Sequence, residues 1–297
     1  MRVLMINPNA SVEMSDVIRA QVRTVARPGV AVDVVNPPGA PPSIESALDE
    51  AACVPPMLAL VKDARARGYD AVVIACFSDP GLDAAREATD IPVVGIQDAA
   101  MHLAAQLGHR FGVLTTLKHR APVRERAALL AGLDRRLASC RPLDLAVLDT
   151  VVDRERVVER IVRVGRPAID EDGAEVLILG CAGLGDLATR ASDELGVPVI
   201  DPNMAALKLC ETLVDLRLTH SRAGLYRARP REEHLPVEEH LPVEGHPPAM
   251  DTDRAGDGHR PRPREETPSM RRSPTAGEAP AIEEPRAAKD AMAWAAE

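Results

Sequence analysis

Of the five cysteines in this chain, two stand where thiol chemistry is worth considering: Cys76 and Cys181. Asp70-Ala71-Val72-Val73-Ile74-Ala75-Cys76 is mirrored by Ala174-Glu175-Val176-Leu177-Ile178-Leu179-Gly180-Cys181, and each cysteine ends a strand-like apolar run. The segments that follow, Ser78-Asp79-Pro80-Gly81-Leu82 and Ala182-Gly183-Leu184-Gly185-Asp186, each lead into a helix. A thiol just before a helix amino terminus sits near free N–H groups and partial positive charge, so both cysteines are expected to have lowered pKa values. If the two copies face each other, the thiols lie on opposite sides of one cleft. One thiolate can then take a proton from a carbon while the other thiol delivers one to its opposite face, which inverts that carbon. Either cysteine alone reads more simply as a buried strand end; the equivalence of their places is what favours catalysis. Cys53, Cys140 and Cys210 have no such symmetry and read as structural. The odd count and wide spacing give neither a disulfide framework nor a zinc site.

The elements that must position these groups repeat too. Val3–Ile6, Val30–Val35, Ala71–Ala75, Pro92–Ile96, Phe111–Leu114, Leu145–Leu148, Val176–Leu179 and Pro198–Ile200 read as buried strands. Between them lie amphipathic stretches such as Ser11–Ala26 and Arg154–Ile169. Continuous apolar strands separated by helices indicate parallel sheets covered on both faces, an α/β class. Ile91-Pro92-Val93-Val94 and Val197-Pro198-Val199-Ile200 follow the two cysteines at like distance, and Arg2–Asn7 resembles Arg110–Thr115. The expectation is two pseudo-symmetric doubly wound, flavodoxin-like domains with the site between them: 1–97, completed by a helix over 205–226, and 98–204. In open parallel sheets ligands bind beyond the carboxyl ends of the strands, where both cysteines stand.

Composition narrows the setting. The 297 residues are 45% hydrophobic and carry a formal net charge of −9, with basic residues scattered, so a nucleic-acid partner is not expected. No apolar run approaches the length of a membrane span and the amino terminus reads as a first strand, so the reading is a soluble, cytoplasmic protein with no membrane partner. From 227 to 297 there are 11 of the 26 prolines, and Glu232–Val237 is repeated as Glu238–Val243. Such a stretch buries too little surface to offset its ordering entropy and is read as a disordered proline-rich tail. Its spaced His234, His240 and His246 are read as tandem duplication before metal binding. No phosphate loop, dinucleotide fingerprint, zinc-protease or nucleophile-elbow motif occurs in the folded part, so no metal and no cofactor are expected.

Ile6-Asn7-Pro8-Asn9, Ala75-Cys76-Phe77-Ser78-Asp79-Pro80-Gly81-Leu82, Gly112-Val113-Leu114-Thr115-Thr116, Gly180-Cys181-Ala182-Gly183-Leu184 and Val197-Pro198-Val199-Ile200-Asp201 together resemble the aspartate/glutamate/hydantoin racemase superfamily, most closely its hydantoin racemase branch. The resemblance covers residues 1 to about 225. It implies cofactor-independent racemisation of a small molecule by one cysteine from each domain, Cys76 and Cys181. It also implies a cleft lined by Asn7, Pro8, Ser78, Asp79, Thr115, Thr116 and the backbone of Ala182 and Gly183, and a homo-oligomer. Beside these roles stand plainer ones: Asn7 and Asn9 as turn residues around Pro8, Ser78 and Asp79 as helix caps, Thr115 and Thr116 as strand-end packing. His102, His109 and His119 read as surface residues. Ala10, where relatives often carry Thr or Ser, is a departure. Phe77-Ser78 and Ala182-Gly183 replace the Asn-Thr and Thr-His pairs that grip an amino acid in relatives, so a neutral ring fits better than a zwitterion. The implied substrate is a D- or L-5-monosubstituted hydantoin, with allantoin next and an Asp/Glu-type amino acid third. A single-cysteine decarboxylase or isomerase is disfavoured by the presence of both thiols.

Overall fold

The computed structural model describes residues 1–227; the proline-rich segment, its histidine repeat and its expected disorder lie outside the described residues. The chain alternates strands and helices throughout. In order they are β1 (Arg2–Ile6), α1 (Val12–Val25), β2 (Ala31–Val35), α2 (Ala47–Ala64), β3 (Ala71–Ile74), α3 (Leu82–Ala88), β4 (Val93–Gly95) and α4 (Ile96–Leu107). Then come β5 (Phe111–Thr115), α5 (Ala121–Leu130), β6 (Leu137–Pro142), α6 (Arg154–Asp170), β7 (Val176–Gly180), α7 (Ala188–Leu195), β8 (Val199–Ile200) and α8 (Pro202–Asp215).

The strands form two four-stranded parallel sheets, ordered β2-β1-β3-β4 and β6-β5-β7-β8, the same doubly wound pattern written twice. Val3 to Ile6 and every residue of β3, β5 and β7 are buried, as strands covered on both faces must be. The order reverses beside β1 in one sheet and β5 in the other, so the carboxyl ends of β1/β3 and β5/β7 open onto the crevices where such folds bind ligands. The last helix of each half crosses over. α4, which follows the first sheet, packs on β7, and α8, which follows the second, packs on β3 and β4. Cys210 on α8 is fully buried there, with its thiol 3.7 Å from the Val72 carbonyl.

Two expectations need correction. Leu145–Leu148 forms no strand: a short 3-10 turn runs over Leu148–Val151, and the fourth strand of the second sheet is Leu137–Pro142 instead. Of the apolar residues misread as a strand only Val147 is buried, because it turns into the space between the halves, whereas Leu148 is exposed. The helix expected over 205–226 runs only over Pro202–Asp215, since the chain turns at Arg217 (φ +55°), and beyond it Thr219–Tyr226 seals the open edge of the first sheet. His220 Nε2 accepts the Val93 N–H at 2.8 Å, and Arg222 donates to the carbonyls of Glu87 at 3.1 Å and Tyr226 at 2.8 Å, and to that of Thr89. Covering an edge in this way removes a template for unwanted strand pairing.

Candidate active site

The carboxyl ends of the two sheets meet at a cavity of about 30 Å³. Cys76 and Cys181 both line it, with Asn9, Met14, Ile44, Phe77, Thr116, Arg124, Val147 and Ala182 among the remaining wall residues. The structure thus brings together the two cysteines of the repeat. A space of that size holds on the order of one or two waters, so a ring-sized guest requires the walls to give. The wall with the most obvious latch is the loop before α2. Ile44 faces the cavity, the Glu45 carboxylate accepts the Val147 N–H at 2.8 Å, and the Glu45 carbonyl lies 2.8 Å from His119 Nε2.

Each thiol has the same backbone partner. Cys76 is drawn down by the N–H of Ser78 and Cys181 by that of Gly183, in both cases two residues on. Each also has a hydroxyl. Ser78 Oγ lies 3.4 Å from Cys76 Sγ, whereas the hydroxyl that lowers Cys181 is that of Thr150, on the turn before α6, held at 2.7 Å from the Val147 carbonyl. A serine at 183 would not fit, because a Cβ there would come within 2.7 Å of Thr150 Oγ1. The electrostatic expectation fails in sign, however. Burial outweighs the helix-end N–H groups and raises both thiols, Cys76 to about 11. Taking a thiolate out of water costs more than these polar neighbours return.

The other residues expected at the cleft divide. Thr116 and Ala182 line the cavity, and so does Asn9; Thr115, Gly183, Asn7 and Pro8 do not. Asn7 turns inward, donating to Ser15 Oγ at 3.0 Å and to the Ser11 carbonyl at 3.3 Å, and so fixes the turn that presents Asn9. Thr115 is completely buried, with no hydrogen-bond partner for its hydroxyl among the described residues. Asp79 points away from the cavity. Its carboxylate accepts the N–H groups of Gln97 at 3.1 Å and Asp98 at 2.8 Å, which caps α4, and its backbone is held at φ +44°. The same N–H pair of α8, from Asn203 and Met204, is capped by Asp201 at 2.8 and 3.3 Å. Burial raises the two carboxyls alike, Asp79 to about 7 and Asp201 to about 6.

Two groups near the thiols escaped the sequence reading: Arg124, which lines the cavity, and Thr150, which lies behind its wall beside Cys181. Thr150 sits in the segment after the misassigned strand. Arg124 belongs to α5, where nothing in the sequence separates it from the exposed Arg126; like Arg120 just before the helix it is only 6% exposed. No periodicity marks either, because packing between the halves brings them to the site. Among the described residues no group of three or more His, Cys, Asp or Glu side chains is arranged to hold a metal, and no helix is long and apolar enough to cross a membrane.

A profile described as Asp/Glu/Hydantoin racemase matches residues 3–210. The chain belongs to that family. It is 38% identical to the hydantoin racemase of Pseudomonas sp. (strain NS671) over 79% of its own length and 94% of the relative's. It is 40% identical to the hydantoin racemase of Rhizobium meliloti, over 78% and 95%. Among solved structures, allantoin racemase from Klebsiella pneumoniae superposes with a TM-score of 0.73 at 39% identity, covering 78% of this chain and 94% of that one. The fold and the enzyme class, an α/β racemase, follow from these matches.

Proposed function

We propose that this racemase interconverts the D and L forms of 5-monosubstituted hydantoins, with Cys76 and Cys181 as a two-base pair acting at C5. The observation that carries the reading is that cysteines from equivalent places in two repeated halves line one cavity. In this reading residues 1–97, completed by 205–226, and residues 98–204 are the units on either side. For one enantiomer a thiolate removes the C5 proton and the opposite thiol returns one to the other face; for the other enantiomer the roles exchange. Because both thiols are raised by burial, turnover is expected to increase as the pH rises above neutral.

The cavity wall supports a neutral ring over a free amino acid. No aspartate or glutamate is among its lining residues to meet an ammonium, whereas Asn9, Thr116 and Arg124 offer donors to carbonyls. The C5 hydrogen of a hydantoin is also the more acidic, because its neighbouring carbonyl is not an ionised carboxylate. Allantoin, itself a 5-ureido-hydantoin, is the second reading, favoured by the Klebsiella pneumoniae structure. Polarimetry of the full chain under reducing conditions, on enantiopure 5-benzylhydantoin and on allantoin, tests and ranks the two. Rotation decaying to zero well above the enzyme-free rate is expected for the first; decay on neither would refute the reading.

A further inference from the structure

The cavity holds one charged group to which proton exchange between two thiols assigns no task. Arg124 lines the cavity together with Cys76 and Cys181 and is almost wholly buried. Its guanidinium lies 5.5 Å from the Phe77 ring centroid, and its Nη1 donates to Gln97 Oε1 at 3.3 Å. Its Nε is buried and has no partner among the described residues. The other cations near the thiols are matched. Arg154, on the Cys181 side, pairs with Asp186 and donates to the Gly183 carbonyl at 2.8 Å, and Arg120 pairs with Glu50. Arg124 makes no such pair with a carboxylate among the described residues. A guanidinium does not shed its proton, so a positive charge is held in this pocket against a neutral amide and an aromatic face, an expensive arrangement unless an anion forms beside it.

We propose that Arg124 is the counter-charge for a single negative charge that passes, during racemisation, from one thiolate to the substrate's enolate and on to the other thiolate. The proposal rests on the two-thiol racemase reading and deepens it. In the first step the C5–H bond breaks, its proton joins the thiolate, and its electron pair moves into the adjacent carbonyl to give the enolate. In the second the electron pair returns to C5 and takes the proton of the opposite thiol, which is left as thiolate. One proton leaves the ring and one enters, and the charge stays at one minus against one plus throughout. With a single unmatched cation the cavity stabilises one anion and resists a second, so the two cysteines differ in protonation at any instant, as acid and base must.

The surrounding groups fit this role. Arg124 pulls Cys76 and Cys181 down against burial, whereas charge on Cys181 pushes Cys76 up. Cys53 and Cys140, the other thiols in reach, are each raised to about 12 by burial and stay neutral. Glu50, Arg120, Glu125 and Arg154 complete the charged surroundings.

The test is an ultraviolet thiolate titration of the full ligand-free chain, read as the difference from the C76S/C181S double variant. The wild type is expected to gain one thiolate and then, at clearly higher pH, the second. R124M should move the first ionisation up by about one unit or more, a tenfold or larger change in proton affinity, and R124K should stay near the wild type. The acid limb of the kcat/KM profile should move with it. Two thiolates ionising together in the wild type, or a first ionisation that R124M leaves in place, would overturn the proposal. The wild-type and R124K measurements do not depend on the methionine variant folding, which circular dichroism checks separately. Because the titration uses no substrate, failure of the hydantoin assay and failure of this proposal are told apart.

Discussion

The two halves share a plan yet fill it from different places along the chain. The first thiol finds its hydroxyl two residues on, at Ser78; the second has glycine there and receives one from Thr150. At the following helix the exchange runs the other way. α8 is capped by its own N-cap residue, Asp201, whereas α4 has Gly95 at its N-cap and is capped by Asp79, from the loop after Cys76. Wherever a side chain reaches across, the residue it covers is glycine. A Cβ at Gly95 would lie 2.2 Å from the Asp79 carboxyl carbon, and one at Gly185 2.4 Å from Asp201 Oδ1. What the duplication keeps is the position of a carboxylate over a helix end and of a hydroxyl over a thiol. Either side of the gap can supply the group, provided the other side yields the room.

The comparison breaks most visibly at the thiols. C76S and C181S are each expected to lower racemisation by about 10² or more, the usual worth of a positioned acid or base. The two variants should differ in which enantiomer still exchanges its C5 hydrogen with deuterated solvent. If both lose exchange of the same enantiomer, the halves are not opposed. The exchange of caps predicts a rescue. G95D alone forces two carboxyls into one place and should cost roughly 1–3 kcal/mol of stability, as overpacking does. D79G/G95D rebuilds the arrangement of the second half and releases the φ +44° strain at residue 79, so its denaturation midpoint should return near the wild type. A double variant no more stable than G95D would show that the caps are not equivalent. T150A should cost less, raising the pH at which Cys181 is alkylated while leaving Cys76 unchanged; T150A/G183S should restore it.

The smallest effect concerns the sealed sheet edge, which only the first half shows among the described residues. His220 must be neutral to accept the Val93 N–H, and burial holds its pKa down at about 4. Its folded value lies below the unfolded one of about 6.5, so the unfolded chain binds the extra proton first. The contribution is therefore complete above about pH 6.5 and lost as the pH falls towards 4. The stability difference between wild type and H220A, from urea unfolding, should shrink over that window; a difference independent of pH would contradict the assignment.

Most of the first sheet was legible because its strands are continuous apolar runs. Val3–Ile6 and Ala71–Ala75 admit few other readings. Leu137–Pro142 escaped because it is a half-exposed edge strand containing Ser139, Arg141 and a terminal proline, and the face it turns to the core carries only the small Ala138 and Cys140. Within the site, Cys76 and Cys181 stood out because the repeat marks them. Thr150 and Arg124 could not, since nothing along the chain tells which side chain the packing of one half against the other will bury. The lowered thiol pKa was a misjudgement of magnitude: helix-end N–H groups are present, but burial prevails.

The central claim, two bases on opposite faces, is tested most directly by the first turnovers in heavy water. Enantiopure protonated 5-benzylhydantoin is mixed with the enzyme, and the deuterium content of each enantiomer is followed before reverse reaction sets in. Two opposed thiols predict product that carries solvent deuterium at C5 from the outset, while the remaining substrate stays protonated. Product that keeps the original proton, or substrate that gains deuterium as fast as product forms, would mean that one group serves both faces.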